Sequence, residues 1–185
     1  MSTASNLPLI HRYITTHNTE GEAIFVSTSQ FPECIPARPA DEDGDLALLY
    51  ATATCPVQAH DEYDVSLYDE YLHTPQGLVP PTGSVIRMID LRPGKISPMH
   101  RTVSLDYGVL LEGEVDLILD SGQSRRMRRG DVSIQRGTAH SYRNRSQTEW
   151  VRMLFVFLPM EPVTIAGKTL GAEVYDEPYE LGKQK

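Results

Sequence analysis

Apolar and polar residues alternate in short runs along this chain, most regularly from residue 84 to residue 160. Glycine-containing turns separate the runs, and no long stretch shows the 3.6-residue period of an amphipathic helix. Strands that recur about every 8–12 residues between such turns are typical of β-sandwiches and β-barrels. The pattern therefore predicts an all-β domain in this part of the chain.

The same pattern places the individual strands of this domain. It predicts strands at Ser84–Leu91, Thr102–Leu111, Glu114–Leu119, Val132–Gln135, Ala139–Asn144 and Trp150–Leu158. A hairpin turn is expected at Asp120-Ser121-Gly122, because aspartate and glycine favour tight turns between strands. We therefore expect a barrel core over residues 84–160, preceded by an extension over 1–83 and followed by a tail over 161–185.

The extension is β-rich but irregular. Short strands are predicted around His11–Thr15, at Ala23–Ser27 and at Leu46–Thr54. The tyrosine-rich stretch EYDVSLYDEY fits either a short helix or a lid that binds a partner. The tail after Pro162 is polar, so either loose packing or an added edge strand is expected.

Alternating aspartates at positions 41, 43 and 45 suggest a calcium loop at first sight. An EF-hand loop needs glycine at its sixth position and glutamate at its twelfth. Counted from Asp41, these positions hold Leu46 and Thr52. We therefore interpret this segment as a solvated acidic loop.

Composition narrows the classes of function. A chain of 185 residues with a net charge of −8 allows one domain with a core and disfavours nonspecific binding to nucleic acid or to an anionic membrane. No apolar run approaches the roughly 20 residues that span a bilayer, and the N-terminus does not resemble a signal peptide, so a cytoplasmic protein is expected. Cys34 and Cys55 are then reduced and structural. The arginines of Arg125–Arg129 fit a solvated strand or salt bridges to a partner subunit.

The candidate chemistry lies between Pro93 and Glu114 and in a second stretch around His140. In a continuous strand, alternate residues share a face, so His100, Thr102, Ser104 and Asp106 would point the same way. His140 and Tyr142 share a face by the same rule. Imidazole and carboxylate groups on one interior surface are suited to metal binding or to acid–base catalysis.

The spacing of glycines, histidines and acids in these two stretches resembles the two motifs of the cupin family. The first motif is matched by Gly94, His100, Asp106 and Gly113, with Thr102 in the place of the second histidine. The second is matched by Gly130, Gly137, His140 and Asn144, with Gln135 in the place of proline. The resemblance implies a cupin jelly-roll, or double-stranded β-helix, with an N-terminal β-rich extension. It also implies pairing into a homodimer.

The resemblance implies a metal site as well, and here the sequence departs from the family. The usual cupin site has three histidines and one glutamate, whereas this chain keeps His100 and His140 and offers Asp106 as the acid. Two histidines and a carboxylate can hold one divalent metal such as Zn, Fe, Mn or Ni. A metal-free catalytic pocket and a purely hydrogen-bonded pocket remain as alternatives. No organic cofactor is expected.

Other residues of this region are candidates for contact with a small-molecule substrate. Thr102 and Ser104 would line the pocket, and Tyr142 could donate a hydrogen bond to a substrate oxygen or serve as a core residue. Arg87 could bind a carboxylate if its side chain points inward, although a surface position is the more usual one for arginine.

Small stand-alone cupins of this kind resemble those of microbial and fungal metabolite pathways. The expected function is that of a lyase or isomerase, in which His100, Asp106 and His140 act in decarboxylation, dehydration or cyclisation of a carbonyl-containing metabolite. An iron-dependent dioxygenase is the first alternative, and a noncatalytic ligand-binding module is the second.

Overall fold

The computed structural model describes residues 5–27, 29, 31–35, 44–74, 77–79 and 81–175, and residues 38–39 by their backbone alone. In chain order its elements are β1 (Ile10–His11), β2 (Thr15–His17), β3 (Ala23–Phe25), β4 (Cys34–Ile35), β5 (Arg38–Pro39), β6 (Gly44–Thr52), a 3₁₀ turn (His60–Glu62), α1 (Tyr63–His73), β7 (Ser84–Leu91), β8 (His100–Arg101), β9 (Ser104–Glu112), β10 (Glu114–Leu119), β11 (Ser124–Arg128), β12 (Val132–Arg136), β13 (His140–Asn144), β14 (Val151–Pro159), β15 (Thr164–Ile165), β16 (Lys168–Thr169) and β17 (Glu173–Val174).

Two antiparallel sheets form the body of the protein. The larger has the strand order β12-β9-β14-β7-β6-β5, and the smaller has the order β11-β10-β13-β8-β17. Their inner faces pack against each other, because the main core contains side chains of both, among them Tyr142 from the smaller sheet and Phe155 and Phe157 from the larger. The prediction of an all-β jelly-roll is therefore confirmed.

The strand predictions from residue 84 onward agree with the structure, with one exception. The strand Ser84–Leu91 has the predicted bounds. The shared face of His100 and Asp106 was expected on the condition that the run between them is continuous, and this condition is not met, because β8 ends at Arg101 and β9 begins at Ser104. Between them the chain leaves the smaller sheet and enters the larger one.

The extension contributes to the same body. Strand β6 pairs with β7 along its length, and α1 packs on β6 through Val65 and Tyr68. The tyrosine-rich stretch is therefore a helix. Ile10 of the N-terminal arm packs with Ala47 and Leu49 in a second, smaller core cluster. The expected boundary between an N-terminal extension (1–83) and the barrel core (84–160) remains a prediction.

The tail adds an edge strand to the smaller sheet, since β17 pairs with β8, and this agrees with one of the two expectations for it. The acidic positions 41 and 43 lie outside the described residues. The basic run forms β11 and the turn after it, which agrees with a solvated strand. Three of its arginines, Arg126, Arg128 and Arg129, pair with the acids of positions 112, 114 and 116. No helix in the described ranges is long and apolar enough to cross a membrane.

Asn144 ends β13 and fixes the turns near the site. Its side-chain amide donates to the carbonyls of Leu91, Arg92 and Glu149, and its Oδ1 accepts from the N–H of Ser146. The residue is almost fully buried. These bonds join the end of β13 to the end of β7 and to the loop before β14, so they fix the end of the strand that carries His140.

Candidate functional site

Two histidines meet on the inner side of the smaller sheet. His100 of β8 and His140 of β13 are direct register partners, and their ring centroids lie 4.6 Å apart at an interplanar angle of 52°. His140 is buried and His100 is partly exposed. The antiparallel pairing of two short strands therefore brings together histidines that are far apart in the sequence.

Both imidazoles are oriented by the backbone in the same way. Nδ1 of His100 lies 2.9 Å from the carbonyl oxygen of Pro98, and Nδ1 of His140 lies 2.9 Å from that of Thr138. A carbonyl oxygen only accepts, so Nδ1 carries the proton in the neutral ring. In each ring, Nε2 is left with a lone pair for a proton, a metal ion or a substrate.

Asp106 of β9 is the acid of the site. The hydroxyls of Ser104 and Thr102 donate to its carboxylate over 2.5 Å and 3.3 Å. Burial raises the pKa of Asp106, while these hydrogen bonds and the charge of a protonated His100 oppose that rise. Thus Thr102, Ser104, Asp106 and His100 converge on the interior although the strand between them is broken.

Tyr142 lies next to the histidine pair. Its ring packs edge-on against His140, with centroids 5.5 Å apart, and against Phe155 at 5.6 Å. Its hydroxyl lies 2.8 Å from Oγ of Ser133. Burial raises the pKa of Tyr142, so the phenol stays protonated at neutral pH. Tyr142 is thus both a core residue and a polar group of the site.

Sequence reasoning did not assign two polar residues of β12 to the site. Ser133 and Gln135 are both buried and alternate inward, and the amide oxygen of Gln135 accepts from the Thr138 hydroxyl over 2.6 Å. Gln135 is also the register partner of Asp106. The two-residue alternation in VSIQR was a signal that could have identified both.

The burial of His140 predicts a specific dependence of stability on pH. Burial lowers the pKa of His140 from 6.5 to about 4. Between these values the unfolded chain binds a proton that the folded protein does not, so stability falls as pH falls from about 6.5 to about 4, by on the order of 3 kcal/mol. In urea unfolding measured across this pH range, the free energy of unfolding should fall less for His140→Gln than for the wild type. An equal fall of the free energy of unfolding in both proteins would contradict the view that His140 causes the pH dependence.

The expected metal ligands are two histidines and one carboxylate. Within the ranges that the structure describes, no three His, Cys, Asp or Glu side chains are arranged to hold a metal ion. His100 and His140 supply two nitrogens, whereas the Asp106 carboxylate is bound by two hydroxyls. The metal site expected at His100, Asp106 and His140 therefore stays a prediction, to be tested by metal analysis.

Arg87 is not the surface arginine that its type suggested. It lies on the inner face of β7 with 7% of its surface exposed, and its Nη2 donates to the carbonyl oxygen of Gly77 over 2.9 Å. The expectation of a surface position is wrong, because the strand's alternation points this residue to the same side as Val85. Its role in binding substrate remains a prediction.

Comparison with known proteins agrees with this fold and its motifs. The family model described as "Cupin domain" matches residues 87–157. Phomopsin biosynthesis cluster protein D of Diaporthe leptostromiformis is 48% identical over 161 residues, which cover 87% of this chain and 84% of that protein. Oryzines biosynthesis cluster protein J of Aspergillus oryzae is 37% identical, with coverages of 90% and 92%.

A further relative carries the family name itself. The cupin-domain-containing oxidoreductase virC of Hypocrea virens is 42% identical over 163 residues, which cover 83% of this chain and 78% of that protein. The match includes part of the N-terminal extension, because it covers 83% of this chain, whereas residues 84–185 make up only a little over half of it. The chain belongs to the cupin family.

Proposed function

We propose that this cupin is an enzyme of secondary metabolism that moves a proton beside a carbonyl group of a small molecule, as an isomerase or lyase. The observation that carries the proposal is the histidine pair, in which each Nδ1 donates to a backbone carbonyl, so that each Nε2 keeps its lone pair. Asp106 lies close enough for its charge to interact with that of His100. A carboxylate next to an imidazole stabilises the imidazolium that forms when the ring takes a proton.

The surroundings give each group a distinct role. His100 is partly exposed and interacts with Asp106, so it is the general base that takes the substrate proton. His140 stays neutral because burial lowers its pKa to about 4, and its Nε2 accepts a hydrogen bond from the substrate or from protonated His100. Tyr142 is a protonated phenol beside His140 and can donate to a carbonyl oxygen as negative charge develops there.

The metabolic setting of the proposal rests on relatives. Two of them are named as proteins of the phomopsin and oryzines biosynthesis clusters, and this chain aligns with most of their length. Similarity of this extent supports a related setting, whereas the reaction is argued from the site.

Exchange of hydrogen for deuterium tests the proposed reaction class without knowledge of the natural substrate. A panel of 1,3-dicarbonyl compounds and β-keto acids would be incubated in D₂O with the wild type and followed by NMR. We expect exchange of protons next to the carbonyl at a rate above that of buffer. Apart from the deuterium taken up, any product should keep the substrate's atoms or lose water or carbon dioxide. Absence of enzyme-dependent exchange across the panel would contradict the proposal.

An oxidoreductase is the second candidate, because virC and other relatives carry that word in their names. Such a reaction needs an electron acceptor or donor, so the protein would consume dioxygen or a redox cofactor in step with product. The same incubations, followed with an oxygen electrode and by mass spectrometry, distinguish the two. Oxygen uptake with a mass gain of one or two oxygen atoms would support the oxidoreductase and overturn the isomerase or lyase.

A further inference from the structure

Arg87 is a cation in apolar surroundings. On its own strand the inward-facing neighbours two residues away are Val85 and Ile89. On the adjacent strands its register partners are Leu48 and Phe155. All four of these side chains belong to the main core or pack against it. The Arg87 side chain is therefore a charged group on a part of the inner sheet face where its neighbours are apolar.

The guanidinium has donors that the described residues do not use. One Nη donates to the Gly77 carbonyl, while Nε is buried and has no hydrogen-bond partner within the described ranges. Among those same residues, no carboxylate forms an ion pair with it. Burial alone lowers the pKa of Arg87, but an arginine of this kind still carries its charge at neutral pH.

Two other buried arginines have a carboxylate partner, whereas Arg87 has none among the described residues. Arg152, with the same exposed fraction of 7%, is held by both oxygens of Asp90, and Arg101, with 9% exposed, pairs with Glu173. A buried charge is costly unless it is paired. Among the described residues, Arg87 thus lacks the carboxylate partner that Arg152 and Arg101 have, and a bound acid would supply one.

The position of Arg87 connects it to the histidine site. Its register partner Phe155 packs against Tyr142, and Phe155 is also paired with Gly108. Gly108 has no room for a side chain, because a Cβ there would lie 2.6 Å from Ser133 Oγ and 2.7 Å from the Phe155 ring. Phe155 thus occupies the strand position between Arg87 and Gly108 and is also the ring that contacts Tyr142.

We propose that Arg87 binds the carboxylate of an acid substrate, with the apolar body of that substrate against Phe155 and its carbonyl group toward His100. A carboxylate would engage the unused Nε and an Nη of the guanidinium in a two-pronged contact. The orientation toward His100 rests on the proposed function, whereas the binding of a carboxylate at Arg87 does not.

Benzoate and its uncharged analogue benzamide are suitable probes, because they share a ring and differ in the carboxylate. Thermal unfolding and titration calorimetry of the full chain at constant ionic strength would compare them. We expect benzoate to raise the melting temperature and to bind at least about tenfold more tightly than benzamide. Equal effects of the two probes on the wild type would overturn the proposal.

Variants locate the binding. Arg87→Met should lose the preference for benzoate, and Arg87→Lys should bind it about tenfold more weakly, since lysine lacks the planar fork. Arg136→Met, at an exposed arginine, should keep the preference. If Arg87 served only to brace the Gly77 carbonyl, Arg87→Met would retain the benzoate preference of the wild type, and this result would also overturn the proposal.

His100→Ala separates this inference from the proposed reaction. The variant should lose exchange activity but keep the preference for benzoate. If the wild type binds benzoate through Arg87 yet shows no deuterium exchange, the proposed function fails and carboxylate binding stands. Equal effects of the two probes on the wild type overturn the proposal whether or not any variant folds, and a benzoate preference is assigned to Arg87 by Arg87→Met and Arg87→Lys.

Discussion

His100→Ala is expected to lower kcat/KM for proton transfer by on the order of 10²–10⁴-fold, the usual contribution of a general base. The loss should fall mainly on kcat, because the base acts on the proton in the transition state and not on the bound ground state. The side chain is partly exposed, and alanine leaves the Pro98 carbonyl that it contacts near solvent, so the fold should tolerate the change. Initial rates of deuterium exchange on the best compound of the panel provide the measurement.

His73 offers a matched control for this variant. It is an exposed histidine at the end of α1 whose Nδ1 also contacts a backbone carbonyl, that of Asp69, over 2.8 Å. His73→Ala removes the same chemical group with the same local bond, and activity should stay within about twofold of the wild type. A His100→Ala variant that kept its rate and lost only affinity would indicate a ligand-binding cupin and contradict the assignment of His100 as the base.

Local regularities made most of the barrel predictable. Gly94, Gly113 and Gly130 all have positive φ, so the turns inferred from glycine are real left-handed positions. Period-two alternation then gave the strands between them, because each has one face in the core. The histidine pair could be predicted for the same reason, since both histidines follow such turns at a spacing that resembles the cupin motifs.

Contacts between distant segments account for what the sequence did not reveal. The break after Arg101 reflects a switch between sheets, and Arg101 is buried there by Gly171 and Glu173, about seventy residues away. The inward position of Arg87 depends on which face of β7 meets the core, and alternation alone leaves that choice open. A helix in the tyrosine-rich stretch is likewise determined by tertiary packing, through Tyr68 against Phe31 and β6.

Asp90→Ala is expected to destabilise the protein by about 3–5 kcal/mol, the cost of leaving a buried charge without its partner. Asp90 is 1% exposed, and its two oxygens accept from Nε and Nη2 of Arg152 over 2.7 Å and 2.5 Å. The remaining Nη of Arg152 donates to the Pro8 carbonyl and so holds the N-terminal arm against the outer face of the larger sheet. Denaturant unfolding monitored by the fluorescence of Trp150 measures the change in the free energy of unfolding.

A surface ion pair provides the comparison for Asp90. Glu114 is about half exposed and pairs with Arg126 and Arg128, so Glu114→Ala should cost less than about 1 kcal/mol. The double variant Asp90→Leu, Arg152→Met should recover much of the loss, because it removes both charges and leaves apolar side chains in their place. If Asp90→Ala cost no more than Glu114→Ala, a buried guanidinium would be tolerated in this protein without a counter-ion. The lack of a carboxylate partner for Arg87 among the described residues would then need no ligand to explain it, and the case for an acid substrate would rest on the benzoate comparison alone.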